Sequence, residues 1–185
     1  MSIYSHAVSN TDKIKFTREA ASVRRCHTMP IINEYNVGYH TFNMLAMLRI
    51  LWPEAPVRLL WAIIEHDIPE RLTGDIPAPV KWFEIVQKEV LMKTEDQILI
   101  DVLGSNTVET LDISEVKWLA GLDIFELALF CRDQMMLGNR NLEVMQQRIH
   151  IFVRDKAAIF APEVLDAYWE SFSHDWSMMP DLGDL

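Results

Sequence analysis

Apolar residues recur at spacings of three and four along most of the chain, which is the pattern of helices with one buried face. Valine, isoleucine and threonine do not alternate with polar residues over any stretch, and the Asn-Gly and Asp-Gly pairs typical of β-hairpins are absent. The pattern therefore predicts an all-α fold. Helices are predicted over residues 10 or 11 to 25, 37–51, 56–73 (imperfectly past Pro69), 80–103, 114–137, 142–160 and 162–172.

The organisation of the chain predicts one domain. Its 185 residues can bury a sizeable core, and they contain no internal repeat, low-complexity segment or linker. We therefore expect a single domain over residues 1–185. The acidic stretch 175–185 is predicted to be a loose tail.

Charge and cysteine content narrow the class of protein. The net charge of −10 argues against a broad nucleic-acid-binding surface, although a metal and a few basic residues can still hold a small anion. Cys26 and Cys131 form no CxxC pattern and indicate free thiols in a reducing compartment. No signal-peptide pattern is present, and no apolar run approaches the roughly 20 residues of a membrane helix. We expect a cytoplasmic protein with neither nucleic-acid nor membrane partners.

Four residues indicate a metal site. His66 and Asp67 stand side by side at the end of the apolar run 59–64, while His40 and Asp123 occupy apolar positions of two other predicted helices. Imidazole and carboxylate ligands together suit borderline divalent cations. Taken singly, each histidine could be a hydrogen-bonded core residue, and Asp123 could pair with a lysine or arginine. One metal would satisfy all four residues at once, since a buried charge is costly unless paired or bound.

Two carboxylates are candidates for acid–base chemistry. Glu70 lies four residues after His66, so it shares a helical face with that histidine. A carboxylate placed there can orient or deprotonate a water, or protonate a leaving oxygen. Asp75, on a Gly-Asp turn, is a second candidate. The alternatives are a surface pair of Arg71 with Asp67 or Glu70, and an ordinary turn aspartate at Asp75.

Basic residues that could bind phosphate are few. Arg24 and Arg25 are adjacent, and guanidinium groups bind phosphate oxygens in pairs. Arg18 lies a turn or two earlier, and Lys81 begins the fourth predicted helix. A basic pair near a helix end can also simply complement the helix dipole, and Lys81 can be a solvated lysine.

The order His40, His66-Asp67, Asp123 resembles the HD-domain superfamily of metal-dependent phosphohydrolases. Residues 65–81 contain His-Asp, Glu, Thr-Gly-Asp and Pro-x-Pro-x-Lys in that order, as in the bacterial HD-domain 5′-deoxyribonucleotidases. The resemblance covers residues 22–81 and reaches Asp123 by spacing. The short length and residues 25–31 look more like the phage dATP triphosphohydrolases, which release triphosphate from a deoxynucleoside triphosphate.

The resemblance implies a helical bundle whose metal ligands are His40, His66, Asp67 and Asp123. It implies a divalent cation (Co, Mn, Mg or Zn), a small deoxynucleotide substrate, a homo-oligomer and, for a phage protein, the host cytoplasm. Water activated by the metal would attack the α-phosphorus. The roles implied for other residues are acid–base chemistry for Glu70 and Asp75, phosphate binding for Arg25 and Lys81 with Arg24 and Arg18 in support, and contact with the nucleoside for Cys26, Thr28 and Ile31.

This chain departs from many relatives at two positions. Cys26 stands where they have Trp, which alters a wall of the implied nucleoside pocket, and Tyr39 stands where they have Glu. Three functions stay open: a dATP triphosphohydrolase, a 5′-deoxyribonucleotidase acting on monophosphates, and a metal-stabilised nucleotide-binding module without turnover. The arginines near the first helix favour the triphosphate, which needs extra positive charge or a second metal. The presence of Glu70 and Asp75 argues against the binding module.

Overall fold

The structure is a computed structural model that describes residues 8–77 and 88–173, with the backbone alone at position 88. Lys81, the predicted helical residues 80–87 and the predicted tail 175–185 lie outside the described residues. The all-α prediction is confirmed: no strand is found in the described part of the chain, where a single isolated bridge pairs Arg24 with Asn36.

The helices are α1 (Asn10–Ala20), α2 (Val37–Leu51), α3 (Val57–Glu65), α4 (Glu70–Thr73), α5 (Lys88–Leu103), α6 (Ile113–Met136), α7 (Glu143–Asp155) and α8 (Pro162–Phe172). Short 3₁₀ turns occupy Val108–Thr110, Arg140–Leu142 and Ala157–Ile159. Within the described residues, no helix is long and apolar enough to cross a membrane.

Helix α6 is the centre of the bundle and packs against α2, α3, α7 and α8. It begins with a capping box, in which Asp112 accepts from the Glu115 backbone N–H while the Glu115 side chain accepts from the Asp112 N–H. Its apolar residues belong to the main core together with residues from α2, α3, α7 and α8. A second, smaller core lies between α1 and α5. Residues near the middle of α6 therefore face several elements at once.

The predicted first helix is too long at its C-terminus. It ends at Ala20 rather than near Arg25 because the next residues bond to a segment that follows them. The Arg25 N–H donates to the Tyr35 carbonyl at 2.9 Å, and the Val37 N–H donates to the Val23 carbonyl at 3.0 Å. This pairing places Arg25 beside the N-terminus of α2.

The predicted third helix is interrupted. Helix α3 ends at Glu65, and the chain makes turns from His66 to Pro69 before α4 begins. Proline lacks the N–H that would continue the helical hydrogen bonds, so short-range bonds such as Glu70 N–H to the Asp67 carbonyl (3.1 Å) close the turns instead. The helix predicted over 142–160 likewise ends at Asp155, with a 3₁₀ turn after it.

Candidate active site

His40 is presented by the first turn of α2. The Asn36 side chain caps this helix by accepting from the Tyr39 N–H, and His40 is fully buried one turn in. Its Nδ1 lies 2.5 Å from a Glu126 carboxylate oxygen. Its Nε2 lies 3.1 Å from an Asp123 oxygen and 3.8 Å from an Asp67 oxygen. The ring is thus held on one side by Glu126 and faces two carboxylates on the other.

His66 lies in the turn after α3, and a hydrogen bond at Nδ1 orients its ring as well. Its Nδ1 is 2.8 Å from the Ile63 carbonyl, which accepts the Nδ1 proton and leaves Nε2 as the free lone pair. That Nε2 lies 3.3 Å from an Asp67 oxygen. We call His40, His66, Asp67 and Asp123 the His/Asp cluster.

The donor set of this cluster fits a divalent metal ion. The two Nε2 atoms are buried and make no hydrogen bond with any described residue, which is costly for polar atoms unless something binds them. One ligand atom each of His40, His66 and Asp123 lies within 4.8 Å of the other two. Imidazoles bonded at Nδ1 and open at Nε2 are the usual form of histidine at a metal.

Arg25, in the loop after α1, contacts both carboxylates of the cluster. Its guanidinium forms an ion pair with Asp67, and Nη2 lies 3.5 Å from an Asp123 oxygen. Asp67 is nearly buried, whereas Asp123 exposes 45% of its side chain. The sequence pattern predicts an internal position for Asp123, and the structure shows why a charge is tolerated there: the carboxylate lines a cavity.

The charges of the cluster reinforce one another. Burial and the Arg25 cation lower the pKa of His40. The carboxylates of Asp123 and Glu126 raise it by more than that, so the pKa of His40 lies above its usual value, at about 9. Burial raises the pKa of Asp67 and Asp123, but the neighbouring imidazoles and Arg25 bring both below the usual range. Burial also lowers the pKa of Arg25, and the carboxylates raise it well above its usual value. All these groups favour their charged forms together.

Glu126 is a site residue that the sequence interpretation did not select. It is buried on α6, and besides His40 it accepts hydrogen bonds from the Tyr35 hydroxyl at 2.5 Å and the Asn43 amide at 3.0 Å. A signal for it exists, since Glu126 is a charged residue between Phe125 and Leu127, as Asp123 is within its own apolar run. The carboxylate fixes the orientation of His40.

The two acid–base candidates, Glu70 and Asp75, both line the cavity that Arg25 lines. Glu70, at the start of α4, is 4% exposed and lines the cavity. Asp75 accepts a hydrogen bond from the Cys26 N–H at 3.0 Å and lies 3.5 Å from His27 Nδ1. Cys26 itself has a φ of 53°, a left-handed conformation that costs energy for a non-glycine residue. The bond to Asp75 helps to hold that strained loop.

A cavity of about 500 Å³ opens beside the His/Asp cluster. It is lined by residues that the sequence selected: Arg25, Cys26, Thr28, Asp67, Glu70, Asp75 and Asp123. Helices α6 and α7 supply a largely apolar wall, including Ile124, Leu127, Met145 and Phe152. Three further residues predicted to contact substrate do not line this cavity. Arg18 and Arg24 are exposed elsewhere, and Ile31 packs against the main core.

Comparisons with known proteins agree with this fold. A model of the HD domain family matches residues 13–116, more than half of the chain. The chain therefore belongs to the HD domain family. Its fold is also that of a cyanophage S-2L HD phosphohydrolase (DatZ), solved with dA and one catalytic Zn2+ ion. The TM-score is 0.64 at 16% identity, over 94% of this chain and 100% of that one. No curated protein sequence matches this chain.

Proposed function

We propose that this protein is a metal-dependent deoxynucleotide phosphohydrolase, and more specifically a dATP triphosphohydrolase. The observation that carries the proposal is the pair of buried, unbonded Nε2 atoms of His40 and His66 beside two carboxylates, at the edge of a cavity. Cavities that bind small molecules combine apolar walls with a few converging polar groups, as this one does. The cyanophage protein of the same fold, solved with dA, supports a deoxynucleoside ligand.

The metal ligands in this proposal are His40, His66, Asp67 and Asp123. When bound, a divalent metal supplies Lewis-acid stabilisation of phosphate charge and lowers the pKa of a water. Mixed imidazole and carboxylate ligands admit Zn, Co or Mn more readily than calcium, and the cyanophage protein carries Zn2+. Arg25 must exchange part of its pairing with Asp67 and Asp123 for the substrate, which a guanidinium with several donors can do.

The reaction breaks the bond between the α-phosphorus and the 5′ oxygen. The water oxygen bonds to phosphorus, and the water gives up a proton to a carboxylate, for which Glu70 is the best-placed buried candidate. The 5′ oxygen leaves with a proton, so that dATP and water become deoxyadenosine and triphosphate. Arg25 offsets the charge that grows on the phosphate oxygens. Asp75 is the second acid–base group, and Lys81, outside the described residues, is a second phosphate ligand.

A 5′-deoxyribonucleotidase acting on monophosphates is the alternative substrate assignment. It is favoured by one observation: the predicted arginine support for a long phosphate chain is absent from the cavity, because Arg18 and Arg24 lie outside it. Arg25 alone suffices for one phosphate. The triphosphate assignment therefore depends on Lys81, which lies outside the described residues, or on a second metal for the β and γ phosphates.

Product analysis distinguishes these functions. The purified protein is incubated with each dNTP and dNMP in turn, with Co²⁺, Mn²⁺, Mg²⁺ or Zn²⁺, and an Asp123→Asn variant serves as the control. Deoxyadenosine and intact triphosphate from dATP alone is the expected result. Free phosphate from dNMPs, with dNTPs untouched, would assign the nucleotidase. No turnover with any metal would leave a nucleotide-binding module and contradict the proposed chemistry.

We also propose a homo-oligomer in the cytoplasm, or in the host cytoplasm if a phage encodes the protein. The support is the sequence resemblance to relatives that assemble as dimers or larger rings. Light scattering coupled to size-exclusion chromatography measures the mass of the particle directly. A mass equal to one chain of 21.5 kDa would contradict this expectation.

A further inference from the structure

Residues 26–34 form an irregular loop between α1 and α2, which we call the 26–34 loop. It contains two non-glycine residues in the left-handed region, Cys26 (φ 53°) and Asn33 (φ 66°). Such backbone conformations persist only where surrounding contacts impose them. Three residues of the loop line the cavity: Cys26, Thr28 and Met29. The contacts that impose the shape of this loop therefore also set the shape of one cavity wall.

Gln134, a buried residue of α6, binds the backbone of the 26–34 loop. Its amide oxygen accepts from the Ile32 N–H at 2.7 Å, and its amide N–H donates to the Ile32 carbonyl at 2.7 Å. One side chain thus exchanges two hydrogen bonds with one residue, as a paired β-strand does. Gln134 does not line the cavity, and the proposed chemistry does not use it. Its described hydrogen bonds point to a role in holding the loop.

Asn139 holds the same loop from the turn that ends α6. Gly138, with a φ of 90°, reverses the chain there, so that the Asn139 N–H donates to the Gln134 carbonyl at 2.9 Å. The Asn139 amide N–H groups then donate to the Pro30 carbonyl at 2.9 Å and to the Gln134 amide oxygen at 3.1 Å. Asn139 is buried as well. The two amides therefore form one connected anchor for the loop.

The other contacts of the loop cannot replace this anchor. Asp75 accepts a hydrogen bond only at the start of the loop, from Cys26, while Met29 and Ile31 pack against the main core. Apolar packing is non-directional, so it does not fix the direction of the loop backbone. The hydrogen bonds of Gln134 and Asn139 are directional, and breaking them leaves a buried amide unpaired, which is costly.

The part of a substrate that meets this wall is indicated by its side chains. The three lining residues of the loop are a cysteine, a threonine and a methionine, none of which carries a positive charge for phosphate. Apolar residues from α6 and α7 line the cavity as well. Such walls suit the sugar and base of a nucleoside, whereas the phosphate meets Arg25 and the His/Asp cluster.

We infer that Gln134 and Asn139 are positioning residues, which hold the 26–34 loop in the shape that binds the nucleoside. This inference rests on the proposed function, in which a deoxynucleoside occupies the cavity. Both residues act through the loop, and neither touches the reacting atoms. Loss of the anchor should therefore weaken nucleoside binding and leave the metal site intact.

The test compares Gln134→Met and Asn139→Ala with Gln146→Met. The first variant keeps the approximate size of the side chain but removes both hydrogen bonds to Ile32. The last variant is matched, because Gln146 is also buried, lies outside the cavity and makes no side-chain hydrogen bond with any described residue. Calorimetry gives the dissociation constants of Mn²⁺ and, for each Mn²⁺-loaded protein, of deoxyadenosine. Hydrogen exchange of the Ile32 amide reports the state of the loop, and thermal melts report folding.

We expect Gln134→Met and Asn139→Ala each to weaken deoxyadenosine binding by about tenfold, since hydrogen bonds that hold the binding wall are lost. Their Mn²⁺ affinities should stay within about twofold of the parent protein, and Gln146→Met should change neither affinity by more than that. The Ile32 amide should exchange faster in Gln134→Met. For the nucleotide that the parent protein hydrolyses, KM should rise while kcat is kept, because only binding is lost.

Three results would overturn the inference: the same deoxyadenosine affinity in Gln134→Met and Gln146→Met, equal losses of deoxyadenosine and Mn²⁺ affinity, or no deoxyadenosine binding by the parent protein. Equal losses would show general damage rather than a displaced loop. If Gln134→Met does not fold, Asn139→Ala decides by the same criteria. A parent protein that hydrolyses none of the nucleotides contradicts the proposed function. The titrations still decide the role of the anchor, because they need no turnover.

Discussion

At the scale of single residues, Glu126 fixes the orientation of His40, a candidate metal ligand. The Glu126 carboxylate holds the Nδ1 side of the ring, and the Tyr35 hydroxyl and Asn43 amide hold the carboxylate in turn. Partners of this kind typically change metal affinity by about 10- to 100-fold. We therefore predict that Glu126→Gln weakens binding of Zn²⁺ or Mn²⁺ by a factor in that range, measured by titration with a competing chelator.

The matched control for this experiment is Glu163→Gln, which removes an exposed carboxylate from the N-terminus of α8. It should leave the metal affinity unchanged. Similar affinities for the two variants would show that Glu126 has no influence on the His40 ligand. Circular dichroism of both proteins separates a loss of metal affinity from a loss of fold.

The raised pKa of His40 also predicts how the stability of the metal-free protein depends on pH. Its pKa of about 9 exceeds the usual 6.5, so the folded state keeps a proton that the unfolded state releases. This stabilisation is complete below pH 6.5 and is lost as the pH rises to about 9. The free energy of unfolding should fall by up to about 3 kcal/mol across this window.

Urea unfolding of the metal-free protein at several pH values measures this dependence. His40→Gln is the comparison, because it removes the titrating ring and leaves the other histidines in place. The decline between neutral and alkaline pH should be smaller in the variant. An identical decline in both proteins would assign the effect to other groups.

At the scale of elements, the contact between α6 and α8 depends on Gly121. A Cβ at this position would lie 3.0 Å from a Val164 methyl, closer than side chains normally pack. Gly121→Ala gains about 1 kcal/mol of helix propensity and incurs about 1–3 kcal/mol of overpacking. We predict a net loss of about 1 kcal/mol in the free energy of unfolding, measured in urea.

The double variant Gly121→Ala/Val164→Ala tests the cause. Shortening Val164 alone leaves a cavity, whereas in the double variant the new methyl occupies part of that space. The double variant should be more stable than the sum of the two single effects by about 1 kcal/mol. Additive effects would show that the two residues do not constrain each other. Asp123 lies two residues further along α6, so this packing also sets the position of a candidate ligand.

At the scale of the whole molecule, a metal would join elements that are distant in sequence. The candidate ligands come from α2, the turns between α3 and α4, and α6, and they converge only in the folded chain. Metal at 100 times its dissociation constant should therefore add about 2.7 kcal/mol to the free energy of unfolding. For a chain of this size, that is an increase in Tm of roughly 5–10 °C.

Differential scanning fluorimetry with and without Zn²⁺, Co²⁺ or Mn²⁺ measures the increase in Tm, and a chelator should reverse it. The control is Asp123→Asn, which keeps the side-chain size but removes a charged ligand. It should show little increase. If the metals raise the Tm of both proteins equally, they bind somewhere other than the His/Asp cluster.

The sequence was most informative about local structure and residue type. Helical periodicity predicted the helices correctly where one face meets the core, as along α2 and α6. It predicted the wrong ends for two helices. One helix ends at Ala20 because the next residues bond to another segment of the chain, and the other ends just before His66 because a proline follows. The pattern also selected the four members of the His/Asp cluster. A charged or metal-binding side chain at an apolar helical position costs free energy unless it is paired or bound.

Only the tertiary structure decided which of these residues meet. His40 and Glu126 are 86 positions apart, and nothing in the spacing between them predicts a hydrogen bond. Arg18, Arg24 and Arg148 are chemically alike, yet only the last lines the cavity. Helical hydrogen bonds reach four residues along the chain, so the sequence by itself determined helices, apolar faces and candidate ligands. The packing of helices separated by tens of residues determined the cavity and the partners of each ligand.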